Sequence, residues 1–272
     1  MHLRLWTAAM PPLVALALAG SALGGQETDA DWLEQCRENH YGSGDQYCEV
    51  REVRVRPTGR ALSVDGRENG GVEVEGWDRD SVLVHARIQA RGDSEEEARA
   101  LASRIRVEAS GSTIRAQGPA TGRHESWSVS YVLSVPRRFD LTIDTHNGPI
   151  AVEGVSGRME LSALNGPLVL SGVGGDVHGR TQNGPLDVTL HGRSWDGPGL
   201  DAETTNGPVV LTVPDGYSAR LETGTVNGPL DLGIPVTLQG RISRRRITTT
   251  LGSGGPLVRA ITTNGPVTIR RQ

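Results

Sequence analysis

The chain has 272 residues, a formal net charge of −4 and 32 acids against 28 bases, every one of which is arginine. Aromatic residues make up 4% and there are two cysteines, so neither a C-x-x-C redox pair nor a closed cysteine metal site is available. After residue 25 no segment approaches the ~20 apolar residues that a membrane-spanning helix needs.

In chain order, residues 1–25 combine Arg4, the apolar run Leu13 to Leu18 and the small residues Ala17, Ala19, Gly20, Ala22 and Gly24. That pattern predicts a secretory signal peptide, cut after Ala19 or after Gly24 or Gly25. The protein is then exported, to the periplasm, the cell surface or the medium. Cys36 and Cys48 lie in an acidic segment, 26–48, that reads as loop. Export puts them where disulfides persist, and with only His40 between them a tetrahedral ion would lack a ligand, so one Cys36–Cys48 bridge is expected.

From Glu49 to Gln89 apolar residues alternate through Val53, Val55, Leu62, Val64, Val72, Val74, Val82, Val84 and Ile88, which predicts strands joined by glycine-containing turns. Ser94 with Glu97 forms a capping box, and Ala98, Leu101, Ala102 and Ile105 follow helical spacing, so one short helix is expected there, covering a sheet end. Strand alternation resumes through Ile114 and from Trp127 to Val135, and Pro136 ends it.

Beyond residue 140 one phrase recurs: Asn147-Gly148-Pro149, Asn165-Gly166-Pro167, Asn183-Gly184-Pro185, Asn206-Gly207-Pro208, Asn227-Gly228-Pro229 and Asn264-Gly265-Pro266. Successive asparagines are 18, 18, 23, 21 and 37 residues apart. Inward positions alternate before each Asn, as in Leu141, Ile143 and Thr145, and after each Pro, as in Ile150 and Val152. The prediction is an all-β, β-solenoid or β-helix-like repeat of two-stranded coils with a period of about 18 residues. At each corner Asn tolerates a left-handed backbone, Gly permits the turn and Pro begins a strand where its missing N–H costs least. Stacked coils would bring the asparagines to roughly 4.8 Å from one another, where their amides can form a ladder. A second corner is expected eight residues before each Asn, at Gly157, Gly175, Pro198 and Pro256. The interval of 37 reads as two periods with one corner lost near Arg245 and Arg246, and Ile247, Thr249 and Leu251 as the outgoing strand.

The segments Cys48-Glu49-Val50-Arg51-Glu52, Asn69-Gly70 to Trp77-Asp78, Val135-Pro136 and the serial Asn-Gly corners resemble the bacterial putative-adhesin family, exported envelope β-repeat proteins classed as a domain of unknown function. The resemblance spans Glu49 to Arg270. It implies a single β-repeat domain over 49–272 and contact with a surface, and it carries no catalytic residues and no cofactor.

On their own terms the carboxylates are scattered. Asp187 and Asp231 share a position after the corner Pro, but the coil between them carries Val210 there, and His146, His178 and His191 occupy different coil positions. No G-x-S-x-G elbow occurs. A non-enzymatic envelope scaffold is therefore the leading expectation, with a glycan-active β-helix lyase or hydrolase as the alternative, which would require Asp187, Glu203, Glu222 and Asp231 to converge. The final 40 residues hold seven arginines and no acid. Arg244, Arg245 and Arg246 are thus the candidate anion-binding residues, for anionic envelope polymers or another envelope protein. Nucleic acid is not an expected partner, because export removes it and no aromatic residue interleaves the arginines.

Overall fold

The structure, a computed structural model, describes residues 27–38, 44–57, 59–67, 69–233 and 245–272. The signal-peptide region, His40, Arg241 and Arg244 lie outside the described residues.

The elements run α1 (Asp29–Glu38), β1 (Asp45–Val55), β2 (Ala61–Asp65), β3 (Val72–Trp77), β4 (Val82–Gly92), α2 (Glu95–Ser103), β5 (Arg106–Ser110), β6 (Thr113–Gln117) and β7 (Ser126–Pro136). They continue with β8 (Asp140–Thr145), β9 (Ile150–Glu153), β10 (Ser156–Asn165), β11 (Leu168–Ser171), β12 (Gly174–Asn183), β13 (Leu186–Thr189) and β14 (Gly199–Asn206). The last are β15 (Val209–Val213), β16 (Ala219–Asn227), β17 (Leu230–Leu232), β18 (Arg246–Leu251), β19 (Leu257–Asn264) and β20 (Val267–Arg271).

The strands form two ten-stranded sheets, ordered β1-β4-β7-β3-β9-β11-β13-β15-β20-β17 and β18-β16-β19-β14-β12-β10-β8-β2-β6-β5. Each Asn-Gly-Pro phrase carries the chain from the second sheet to the first, so strand, corner and strand form one unit. Between neighbouring units the pairing is parallel and in register. Leu141, Met159 and Val177 are cross-strand partners in one sheet, and Ile150, Leu168 and Leu186 in the other. These rows face each other and are fully buried, which is why alternate positions are apolar. One core extends from Val55 to Ile269.

Two helices are present among the described residues, so the expectation of one was incomplete. α2 begins as its sequence requires: the Ser94 hydroxyl accepts from Glu97 N at 3.3 Å, and Ala98, Leu101 and Ala102 are buried. It links β4, next to the edge strand of one sheet, to β5, the edge strand of the other, and Arg51 donates to the carbonyls of Ala102 in its last turn and Ile105 just beyond. The unanticipated α1 lies in the segment read as loop. Its signal was Thr28 with Asp31, whose side chains and backbone N–H groups bond reciprocally at 2.7–3.2 Å as a capping box. The helix is fastened by Arg87 of β4, only 5% exposed, which donates to Glu27 and Asp29 and lies over the Trp32 ring.

The disulfide joins Cys36 of α1 to Cys48 of β1. Closing so short a loop contributes up to about 3 kcal/mol in the chain-entropy model. Because α1 packs on β1 and not inside the sheets, the Cys36→Ser/Cys48→Ser variant is expected to lose amide-exchange protection in α1 about a hundredfold. Its global unfolding midpoint should hardly move. Unchanged protection in α1 would show that the bridge carries no such constraint.

Three local expectations are corrected. Among described residues Arg67 alone outside glycine has a positive φ, so the corner asparagines are not left-handed. The second corner lies at Gly154 and Gly172, with φ of 64° and 57°, while Gly157 and Gly175 already belong to β10 and β12. Residues 246–251 do not form an outgoing strand of the other sheet: β18 pairs antiparallel with β16 and edges the same sheet. The terminal unit, β19 and β20, then passes between units that precede it, with β19 parallel to both β14 and β16 and β20 parallel to both β15 and β17.

Candidate functional site

The corner edge is built from side-chain amides. Asn147 Nδ2 donates to Asn69 Oδ1 at 3.2 Å. Thereafter Asn165 donates to Asn147, Asn183 to Asn165, Asn206 to Asn183, Asn264 to Asn206 and Asn227 to Asn264, each at 2.8 Å. Five consecutive bonds of one length require the parallel register to be continuous across the edge. Asn69, which lacks the following Pro, is the ladder's terminal acceptor.

The corner glycines are packed where a side chain cannot fit. A Cβ at Gly166, Gly184, Gly207 or Gly265 would overlap the carbonyl of the corner glycine in the unit before it in the stack, Gly148, Gly166, Gly184 or Gly207 respectively. Those carbonyls are also occupied. Thr145, Thr181, Thr204 and Thr262 donate to the carbonyls of Gly148, Gly166, Gly184 and Gly207 at 2.7–2.9 Å, and Thr225 likewise to that of Gly265. Read from the sequence, these threonines were only small inward residues. Their recurrence two residues before every corner Asn but Asn165, where Ala163 stands, was the available signal, because a buried hydroxyl must find an acceptor.

The 23- and 21-residue intervals hold insertions carrying Trp195 and Tyr217, both buried. Trp195 Nε1 donates to Gly175 O at 2.9 Å, and a bridge between Ser194 and Ser218 ties the insertions together.

The four carboxylates whose convergence would make a glycan-cleaving site divide between the sheets. Asp187 and Asp231 lie in the first, separated by Val210 and Thr268 on β15 and β20. Burial pushes the Asp187 carboxyl above its ordinary range, and Arg270 partly opposes this. Glu203 and Glu222 lie in the second sheet with Asp201, gathered around Arg259: Asp201 is bonded to it, and Glu203 and Glu222 are each 3.5 Å away. Burial draws the Arg259 guanidinium down, and the three acids more than offset it.

The arginine-rich end is not segregated in space. Arg246 pairs with Glu222, Arg259 with the acid triad and Arg271 with Asp215 at 2.8 Å. Arg270 donates to Thr212 Oγ1 at 3.0 Å. Arg245 and Arg246 line a surface cavity of about 350 Å³ with Arg259, Val226 and Ile261. Arg244, the third member of that cluster, falls outside the described residues. His178 pairs with Asp176 at 3.2 Å, and among the described residues no three His, Cys, Asp or Glu side chains are placed to hold a metal ion.

A second cavity, of about 240 Å³, lies at the Asn69 end of the ladder between Trp127, Tyr131 and Arg67. The Tyr131 hydroxyl is buried without a hydrogen-bond partner among the described residues, and burial, reinforced by Asp65, pushes its pKa up. Tyr131→Phe is therefore expected to leave unfolding free energy unchanged or raise it by about 1 kcal/mol, since it removes an unsatisfied polar group. A loss of more than that in chemical denaturation would mean the hydroxyl has a stabilising partner.

Among solved structures, the chain is similar to a putative cell adhesion protein from Clostridium sporogenes, at 8% identity and a TM-score of 0.47, covering 83% of this chain and 100% of that one. It is also similar to a putative adhesin from Bacteroides fragilis (10% identity, TM-score 0.36, 82% and 97% covered). A third is a putative lipid binding protein from Parabacteroides distasonis (10%, 0.36, 84% and 98%). The adhesins among these carry the family name that the sequence motifs resemble. No family model and no curated protein matches the sequence.

Proposed function

We propose that the protein is a non-enzymatic, adhesin-like scaffold of the bacterial envelope or cell surface, exported by a signal peptide over 1–25. In this reading residues 49–272 form one β-solenoid domain, winding as two-stranded coils, that presents its outward faces to a polymer or protein. The observation that carries the reading is the continuous amide ladder, which consumes the polar groups of the corner edge in mutual bonds and makes a stiff support. The pairing of Asp201, Glu203 and Glu222 with Arg259, Arg180 and Arg246 is consistent with it, since a general acid and base need carboxylates free to exchange protons. No helix among the described residues is long and apolar enough to cross a membrane.

The test is cell fractionation of the native producer followed by retention of the purified protein on isolated envelope. The expected result is an exported, processed chain that sediments with envelope and is released as salt rises, because exposed charges are screened over ~8 Å at physiological ionic strength. Recovery in the cytoplasm, or release of reducing sugar from envelope glycan by the purified protein, would overturn it.

A further inference from the structure

A surface cavity of about 600 Å³ lies on the edge opposite the amide ladder, and its charge balance is the reverse of the chain's. On this edge β1 crosses to β2, β7 crosses to β8, and β3 turns into β4. The crossings bring together Arg60, Arg79, Arg137 and Arg138 against Asp78 and Asp80. In sequence these arginines are dispersed over nearly eighty positions and give no cluster.

The groups are held in definite states. Trp77 Nε1 donates to Ser81 O at 2.8 Å, which fixes the indole, and the Arg79 guanidinium lies 4.8 Å from its ring centroid. Arg137 is committed to Asp78 at 2.8 Å, an ion pair that lowers the Asp78 carboxyl's pKa and raises the guanidinium's. The side chains of Arg60 and Arg138 have no partner among the described residues. Their backbones are nevertheless fixed: Arg60 O accepts from Asp140 N at 2.7 Å, and Arg138 bridges to Ser156. The Arg60 and Arg138 side chains thus line the 600 Å³ cleft from fixed backbones, and a bidentate carboxylate is a geometry that a guanidinium matches. Asp80 supplies an acceptor for a hydroxyl, and together with Asp78 it disfavours a densely charged ligand such as a phosphate dianion. The fixed Trp77–Arg79 stack offers a flat wall to a ring. The volume falls within the range of small-ligand clefts.

We propose that this cleft binds an acidic sugar, a hydroxylated ring bearing one carboxylate, as it occurs in a uronic-acid polysaccharide. The inference rests on the reading of the protein as a polymer-binding scaffold, and it moves the anion site from Arg244–Arg246 to Arg60 and Arg138. It is tested by calorimetric titration of the whole exported chain with oligogalacturonate at low salt. Neutral maltooligosaccharide, dextran sulfate and inorganic phosphate serve as comparison probes. The variants are Arg60→Ser/Arg138→Ser and, as a control of equal charge, Arg158→Ser/Arg220→Ser.

The expected result is that the parent binds the uronate oligomer and not the neutral one. The cleft variant should lose about tenfold in affinity, the scale of two exposed charge pairs, while its melting temperature and the control's affinity stay put. Equal affinity of parent and cleft variant, an equal loss in both variants, or preference for dextran sulfate or phosphate over the uronate would each overturn it. If the parent ignores every probe but is still retained on envelope, the cleft proposal falls and the scaffold reading stands. Loss of envelope retention by the parent removes the scaffold reading itself.

Discussion

Gly184→Val is expected to lower the unfolding free energy by about 3 kcal/mol or more, the upper range for forcing extra volume into a closed site. The cause is contact and not conformation. Gly184 has no positive φ; its missing Cβ makes room for the carbonyl of Gly166, to which Thr181 already donates at 2.7 Å. A valine must push the neighbouring corner away, lengthening the Asn183–Asn165 and Asn206–Asn183 amide bonds on either side. Asp187→Asn, three residues further on, is the matched comparison. It is expected to shift stability by less than about 0.5 kcal/mol, because it alters a partly exposed side chain with no role in the ladder. Chemical denaturation of the two variants at neutral pH decides the matter. A valine variant as stable as the parent would mean that the corner can relax at little cost.

Arg259→Met is expected to cost about 2 kcal/mol, the figure for breaking a buried ion pair reduced for the partial exposure of its acids. Arg259 is 20% exposed in its side chain, and its direct cross-strand partners are Asp201 on β14 and Glu222 on β16. Without it, Asp201 loses its cation while Glu203 keeps Arg180 and Glu222 keeps Arg246, and Asp201 then faces two further carboxylates across three adjacent strands, an arrangement of like charges that is destabilising. The deficit should shrink when Glu222→Gln is added and at high salt. A single variant within about 0.5 kcal/mol of the parent, or a double variant less stable than the single, would show that the triad does not depend on this cation.

The second expectation bears on how the chain finds its arrangement. The unit containing β16 and β17 precedes the terminal unit in sequence but lies outside it in space. The terminal unit therefore occupies a site whose two walls, β14 and β16, both come earlier in the chain. Of the acids on its two neighbours, Glu203 also pairs with Arg180 and Glu222 with Arg246, whereas Asp201 is paired by Arg259 of β19. Arg259 is the residue of the terminal unit that matches this charge, so the seven arginines without an acid at the end of the sequence serve, in part, to place the terminal unit. This is also why Arg246 and Arg259 are poor candidates for gripping an external anion: Glu222 engages both.

What the sequence determined by itself was local. Period-two alternation set which face of each strand is buried, as in Leu141, Ile143 and Thr145, because apolar area must leave water wherever it lies. Asn-Gly-Pro set where the chain turns, and Ser94 with Glu97 set the start of α2, because turns and caps are satisfied by residues within a few positions of each other. Tertiary structure alone decided which unit lies beside which. Every Asn-Gly-Pro unit carries the same Asn and Gly groups at its corner, and all but the Asn165 unit, with Ala163, the same Thr, so the ladder accepts any neighbour, and sequence order was a misleading guide for Asn264, which sits between Asn206 and Asn227. The same reason separates charge along the chain from charge in space. Arg259 meets Asp201 from 58 positions away, and Arg60 meets Arg137 and Arg138 only because two sheet crossings share an edge, since a Coulomb interaction depends on distance through space and is indifferent to distance along the chain.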